Sequence, residues 1–244
     1  MTKKVISYGS CQFPTLGFIV ERHNQIESFS KEEFWKIELK FLVGDDQAKF
    51  AWARGHIFDK NVVTALHERV TESKSAKVVL VVKKPKVKPR PVPLNTVEAT
   101  KLISRKLKIS PEKAMEIMER LYNRGYLSYP RTETTVYSKM INLRKIITSF
   151  EKCAEFGPFA KRVASGEMWS GPRNGKQDDK SHPPIHPVKS VRRDELLTDE
   201  WRIFELLTRH FLATVSKDAK GSETLIKVDM GGEEFNCQGV VVDE

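Results

Sequence analysis

An α+β chain of more than one domain is what this sequence predicts, and three features predict it. Residues from Phe34 to Val43 alternate apolar and charged side chains, the period-two pattern of a half-buried strand. Residues 95–125 carry two helical patterns separated by a tight turn. Between them, Lys83 to Pro93 places four prolines and five basic residues in eleven positions, a composition suited to a domain boundary. With 244 residues, 39% hydrophobic and 30% charged, the chain can bury one large core or two smaller ones.

The elements follow in order. Ile6 to Gln12 is a small, polar run in which Gly9 permits close backbone approach. Pro14 is expected to open a helix with Leu16, Ile19, Val20 and Ile26 on one apolar stripe. Trp35, Ile37, Leu39 and Phe41 then alternate with Lys36, Glu38 and Lys40. Gly44-Asp45-Asp46 turns the chain, and Phe50 with Trp52 mark a returning strand. Asn61 to Val70 suits a short helix, and Lys77 to Val82 a β-branched strand. The prolines of Lys83–Pro93 argue against helix and against most ladder positions, which predicts an extended, stiff connector. Its basic content fits a nuclear import signal, and equally a linker lying along a phosphate backbone.

Asn95 with Glu98 forms a capping-box-like helix start, with Val97, Leu102, Ile103 and Leu107 as apolar positions. Ser110-Pro111 opens a second helix, carrying Ala114, Met115, Met118, Leu121 and Tyr122, that Gly125 closes. Tyr126 to Tyr129 reads as a short strand. Helix, tight turn, helix, strand is the order of a winged-helix-like module. Leu143 to Ala164 is expected to be helical, and Ser165 to Lys189 irregular. Thr198 is expected to cap a helix to about Lys217 that buries Trp201, Phe204, Leu207, Phe211 and Val215. Thr224–Met230 and Phe235–Val242 pair through a Gly231-Gly232 turn. The apolar run Val240-Val241-Val242 just before the end is expected of a piece of a longer protein.

The net charge of +10 is concentrated. From Lys83 to Lys145 the sequence holds sixteen Lys/Arg against five Asp/Glu, and the remainder is nearly balanced. A surplus so localised reads as a polyanion-binding face. No apolar run approaches the roughly 20 residues that span a bilayer, and the first residues lack the apolar core of a secretory signal. Three well-separated cysteines favour free thiols over a disulfide framework or a zinc cluster. Asp178 to His186 contains acidic residues and two histidines, yet Pro183 and Pro184 preclude the helix that would align them as metal ligands. A polar loop bringing His182 to a phosphate is the better reading.

Chemistry concentrates in Ser128-Tyr129-Pro130-Arg131-Thr132-Glu133-Thr134. A tyrosine hydroxyl, with an ordinary pKa of about 10, is a poor nucleophile at neutral pH. Attack on a phosphodiester therefore needs cations that favour the phenolate and hold the phosphate oxygens. In an extended segment Arg131 points to the same side as Tyr129, and Pro130 restricts the backbone between them. Tyr122 and Tyr126 lack this sequel.

That stretch resembles the active-site motif of type IA DNA topoisomerases, most closely those of the eukaryotic topoisomerase III group. Ser7-Tyr8-Gly9-Ser10-Cys11-Gln12-Phe13-Pro14-Thr15-Leu16 resembles the family's single-strand-binding element, and Ser181-His182-Pro183-Pro184-Ile185-His186-Pro187 a third signature. The resemblance implies an arch in which residues 1–27 belong to a strand-binding domain. Residues 28–93 and 196–244 would form a β-rich hinge, and 94–195 the gate domain bearing the tyrosine. It implies transient cleavage of single-stranded DNA through a 5′-phosphotyrosine on Tyr129, strand passage and religation without ATP. Arg131 would stabilise the scissile phosphate and His182 would bind it or the adjoining nucleotide. Ser7, Gly9, Gln12, Thr132 and Lys189 would contact DNA. Ser10 stands where bacterial topoisomerase I branches carry arginine, which weakens a phosphate contact there. The resemblance further implies Mg²⁺ held by a Toprim domain absent from these residues, so that this part alone would be inactive. A nuclear location, a role in recombination and repair, a RecQ-type helicase and an OB-fold accessory protein are implied in the same way. A non-catalytic winged-helix module that binds single-stranded nucleic acid is the alternative. A tyrosine recombinase fits poorly, because Tyr129 lies mid-chain and His182 follows it.

Overall fold

The computed structural model describes residues 8–243. They divide into two compact units, one formed by the chain up to Lys84 with Glu223–Val240, the other by Pro85–Ser222 with the residues from Val241 on.

The first unit contains α1 (Gln12–Glu27), β1 (Glu38–Val43), β2 (Asp46–Trp52), α2 (Lys60–Glu72) and most of β3 (Lys77–Lys88), β4 (Ala219–Met230) and β5 (Glu233–Val242). The strands form one sheet in the order β1-β2-β5-β4-β3. β1 and β2 are antiparallel from Glu38↔Ala51 to Val43↔Asp46, which leaves Gly44 and Asp45 as the turn; Gly44 supplies the positive φ of +59° that such a turn requires. Ile37, Phe50, Trp52, Val228 and Phe235 form a core that Val63 and Val70 of α2 cover. Asp59 caps α2 by accepting from the Asn61 and Val62 amides. The β4–β5 turn has φ of +60° and +76° at Gly231 and Gly232, and a Cβ on Gly231 would lie 2.6 Å from the Arg69 carbonyl oxygen.

Two expectations are corrected in this unit. β3 runs through Pro85 to Lys88, where a connector outside the sheet was expected from Lys83 onward. It is an edge strand, and an edge leaves backbone N–H groups without a partner strand, so proline is tolerated. α1 forms, but none of its residues is buried, and Leu16, Ile19, Val20 and Ile26 are all exposed. Periodicity specifies the stripe without specifying what covers it.

The second unit is helical. It holds α3 (Thr96–Leu107), α4 (Pro111–Asn123), α5 (Leu143–Thr148), α6 (Gly157–Ala164), a 3₁₀ turn at Arg193–Glu195 and α7 (Thr198–Val215). α7 is its centre, burying Trp201, Ile203, Phe204, Leu207, Phe211, Leu212 and Val215 against Ile103 of α3, Met118 and Leu121 of α4, and Phe150. The sequence division placed 196–244 with the β-rich part; packing assigns α7 to the helical unit, because its buried face meets apolar side chains of α3, α4 and Phe150. The expected helix from Leu143 to Ala164 is two short ones, and Phe150 and Phe156 between them are buried. The N-cap of α7 is Leu197, not Thr198, and the Glu200 carboxylate accepts its N–H at 3.2 Å.

One carboxylate closes the first unit. Glu233, 1% exposed, accepts from Trp52 Nε1 at 2.9 Å, from Arg54 at 2.7 and 2.9 Å, and from Arg69 at 2.8 Å. The hydrogen bond from Arg54, then those of its other partners, holds its carboxyl below the ordinary value of 4.5. Glu233→Ala is expected to cost about 1–3 kcal/mol, chiefly because it leaves the buried Trp52 indole N–H without an acceptor, the half-exposed arginines being free to meet water. Amide exchange across β2 and β5 reads this loss. In the natural protein the contribution is present above pH 4.5 and is lost as pH falls through the depressed folded value.

Candidate active site

The stretch around Tyr129 is irregular backbone, and its hydrogen bonds come from elsewhere in the helical unit. It begins where α4 ends. Gly125, at φ +72°, reverses the chain, its N–H donating to the Tyr122 carbonyl at 2.8 Å and that of Tyr126 to Leu121 at 2.9 Å. The expected strand at Tyr126–Tyr129 is reduced to a single bridge, Leu127 with Pro187. Ser128 extends that contact: its N–H donates to the His186 carbonyl at 2.9 Å. Its hydroxyl donates to the Pro184 carbonyl at 3.0 Å and accepts the His186 N–H at 2.9 Å.

On the other side, Thr96 in the first turn of α3 secures Pro130 and Thr132. Its hydroxyl lies 2.7 Å from the Pro130 carbonyl and accepts the Thr132 N–H at 2.9 Å, while its own N–H donates to the Thr132 carbonyl at 2.9 Å. α3 starts where it does because the Asn95 side chain accepts the Glu98 N–H at 2.9 Å. The tyrosine-bearing stretch is thus pinned just before and just after Tyr129.

Tyr129 itself is half-buried, its ring 5.2 Å from that of Tyr122 and 4.7 Å from the His182 imidazole, centroid to centroid. Arg131 is exposed and ion-paired with Glu119 at 2.7 Å. Glu119 and Tyr122 stand three residues apart on one face of α4, so Tyr129 and Arg131 meet the same helix face. Arg131 also borders an 870 Å³ cleft, shared with Thr96, Glu98, Glu133, Gln177 and Asp179. His182 lines a separate 390 Å³ hollow with Thr134, Lys180 and Pro183.

The structure brings Tyr129 and His182 together and places Arg131 along the same helix. Thr132 is 4% exposed, its hydroxyl spanning Asp179 and the Thr134 N–H, so it braces the loop from within. Lys189 lies over the Tyr126 ring, Nζ 4.7 Å from the centroid. Gly9 and Gln12 are in the first unit, where the Gln12 N–H donates to the Gly9 carbonyl at 3.1 Å as α1 begins. Ser7 lies outside the described residues.

Sequence reasoning missed four supports: Thr96, Glu119, Ser128 and Asp179. Thr96 is separated from Pro130 by a whole helical hairpin and gives no local signal. Asp179, considered only as part of a rejected metal motif, does carry one: an aspartate three residues before a histidine can fold the intervening turn onto its own carboxylate. It does so here, and hydrogen bonds from the His182 and Ser181 amides hold its carboxyl far below the ordinary carboxylate range.

A family model described as DNA topoisomerase matches residues 1–244. The chain is 43% identical over 239 residues to DNA topoisomerase 3 of Caenorhabditis elegans, covering 98% of this chain and 31% of that protein. It is 47% identical over 246 residues to DNA topoisomerase 3-alpha of Drosophila melanogaster, covering 99% and 19%. To DNA topoisomerase 3 of Schizosaccharomyces pombe it is 43% identical over 245 residues, covering 100% and 39%. The chain therefore spans well under half the length of these curated relatives. Its fold is similar to full-length topoisomerase I from Thermotoga maritima, with a TM-score of 0.68, 20% identity, and 99% and 39% of the two chains covered.

The double anchoring of the tyrosine stretch has a measurable consequence. Thr96→Val preserves volume but removes the acceptor of the Thr132 N–H and the donor to Pro130. A loss of about 1–2 kcal/mol is expected, with faster proteolysis and amide exchange over 128–134.

Proposed function

This chain belongs to the DNA topoisomerase family, as a type IA, topoisomerase III-like member, and on that premise we propose that Tyr129 is the nucleophile that opens single-stranded DNA. The observation that carries the reading is the placement of the Tyr129 ring. It is held half-buried beside the exposed His182, on a stretch secured at both ends, with Arg131 two residues on.

The chemistry follows from those groups. The phenolic oxygen attacks phosphorus, the bond from phosphorus to the 3′ oxygen breaks, and the proton balance closes with the phenol deprotonated and a 3′ hydroxyl released. The phosphate stays joined to Tyr129 as a phosphodiester, so the bond energy is conserved and the hydroxyl can reverse the step without ATP. Arg131 offers five N–H donors, enough to keep one on Glu119 while others take the non-bridging oxygens. His182 can donate to a phosphate oxygen from the loop side. Gly9 and Gln12, with Ser7, are assigned to the strand groove, and Lys189 to the DNA backbone. Mg²⁺ would act beside the scissile phosphate. The family resemblance assigns that ion to a Toprim domain outside these residues.

The same reading extends to the whole protein. On the family resemblance, it assigns the protein a nuclear role in recombination and repair, alongside a RecQ-type helicase and an OB-fold accessory protein.

The test uses the full-length protein with Mg²⁺ and end-labelled single-stranded DNA, trapped with denaturant. A covalent 5′-phosphate adduct is expected on Tyr129, absent in Tyr129→Phe while DNA binding persists. An adduct that survives that substitution would place the nucleophile elsewhere, and no adduct from an intact, DNA-binding parent would leave a binding module. Binding should also weaken with salt, log K falling by about 0.7 per log salt for each phosphate neutralised; a flat response would refute the basic face.

A further inference from the structure

His182 has no side-chain anchor of its own. Its imidazole contacts the Tyr129 ring and makes no hydrogen bond among the described residues, so its place depends on the backbone beneath it. After it, Pro183 and Pro184 restrict the chain and Pro184 is tied to Ser128. Before it stands Lys180 at φ +57°, a left-handed conformation that a non-glycine residue keeps only when its surroundings hold it. The Lys180 N–H donates to Asp178 Oδ1 at 2.9 Å, and the two residues after it are held by Asp179.

We propose that Asp179 is the positioning residue of the Tyr129 site, setting His182 against the tyrosine by bonding both segments with one carboxylate. This rests on the reading of Tyr129 as nucleophile. Oδ1 accepts from the Ser181 N–H at 2.8 Å and from the His182 N–H at 2.9 Å. Oδ2 accepts from the Thr132 hydroxyl at 3.3 Å and, at 3.4 Å, from the Glu133 N–H. The Asp179 N–H completes the seam by donating to the Thr134 hydroxyl at 3.0 Å. One oxygen thus serves the histidine loop and the other the tyrosine stretch. Asp179 touches neither reacting atom; it acts through where His182 stands.

The experiment compares Asp179→Ala, Asp179→Asn, His182→Ala and the Asp179→Ala/His182→Ala double variant in the full-length protein. Adduct formation on single-stranded DNA is measured alongside DNA affinity. Asp179→Ala is expected to slow adduct formation by about tenfold or more while affinity stays within about twofold, because displacement by an ångström is enough to cost that much. The double variant should be no slower than His182→Ala, since Asp179 works through that side chain. Asp179→Asn keeps an acceptor for the Ser181 and His182 amides and should recover most of the rate. Wild-type rates in Asp179→Ala, or losses that multiply in the double variant, would overturn the assignment. Amide exchange at Ser181 and His182 supplies a readout independent of activity: protection should fall in Asp179→Ala, and unchanged protection would also overturn it. Failure of the Tyr129 reading shows differently, as no adduct from wild type or an adduct that persists in Tyr129→Phe.

Discussion

The carboxylate of Glu200, 3% exposed in the first turn of α7, is the interaction on which the candidate site depends. It accepts from Arg120 of α4 and from Arg124 at that helix's C-cap, each at 3.1 Å, and from the Leu197 N–H. A buried carboxylate with one partner removed costs several kcal/mol, so this junction resists rearrangement. It fixes α4 against the central helix α7, and α4 is the bed on which Tyr129 rests, through Tyr122. Arg120 sits in the last turn of α4 and Arg124 at its C-cap, where cations also oppose the helix dipole. Everything downstream inherits its place from that helix: the Gly125 reversal, the Leu127 bridge, the Ser128 hydrogen bonds and the tyrosine itself.

Much of this was legible in the sequence where the signal was local. The Gly231-Gly232 pair marked its turn, and alternation at Trp35–Phe41 marked β1, although the strand starts only at Glu38 and Trp35 makes a lone bridge to Ile57. Asn95, Ser110-Pro111 and Gly125 bracketed the two helices, because capping and turn chemistry act over a few residues. The seven residues around Tyr129 stood out for the same reason. What escaped were long-range choices. That α7 belongs with the helical unit depends on what packs around it, and that β3 tolerates Pro85 depends on its being an edge. Thr132 was expected at the DNA only through the family resemblance, which carries no information on what packs around it. Its burial is set by Asp179 and Thr96, both distant in sequence.

The contrast between the two kinds of ion pair on α4 decides which part of the site can move. Arg120 and Arg124, themselves half exposed, reach a buried carboxylate, whereas both Arg131 and its partner Glu119 are exposed. An exposed pair of that kind stabilises by about 1 kcal/mol or less, and a phosphate oxygen can offer the guanidinium a bond of the same charge-assisted type. Moving Arg131 from Glu119 toward a DNA phosphate therefore costs little, while moving α4 from α7 would leave the buried Glu200 carboxylate without its arginine partners. The helix that positions the tyrosine is held by the expensive interaction and the cation that would meet the substrate by the inexpensive one. A site built this way keeps the ring of Tyr129 in place while leaving Arg131 free to exchange a protein carboxylate for a nucleic-acid phosphate.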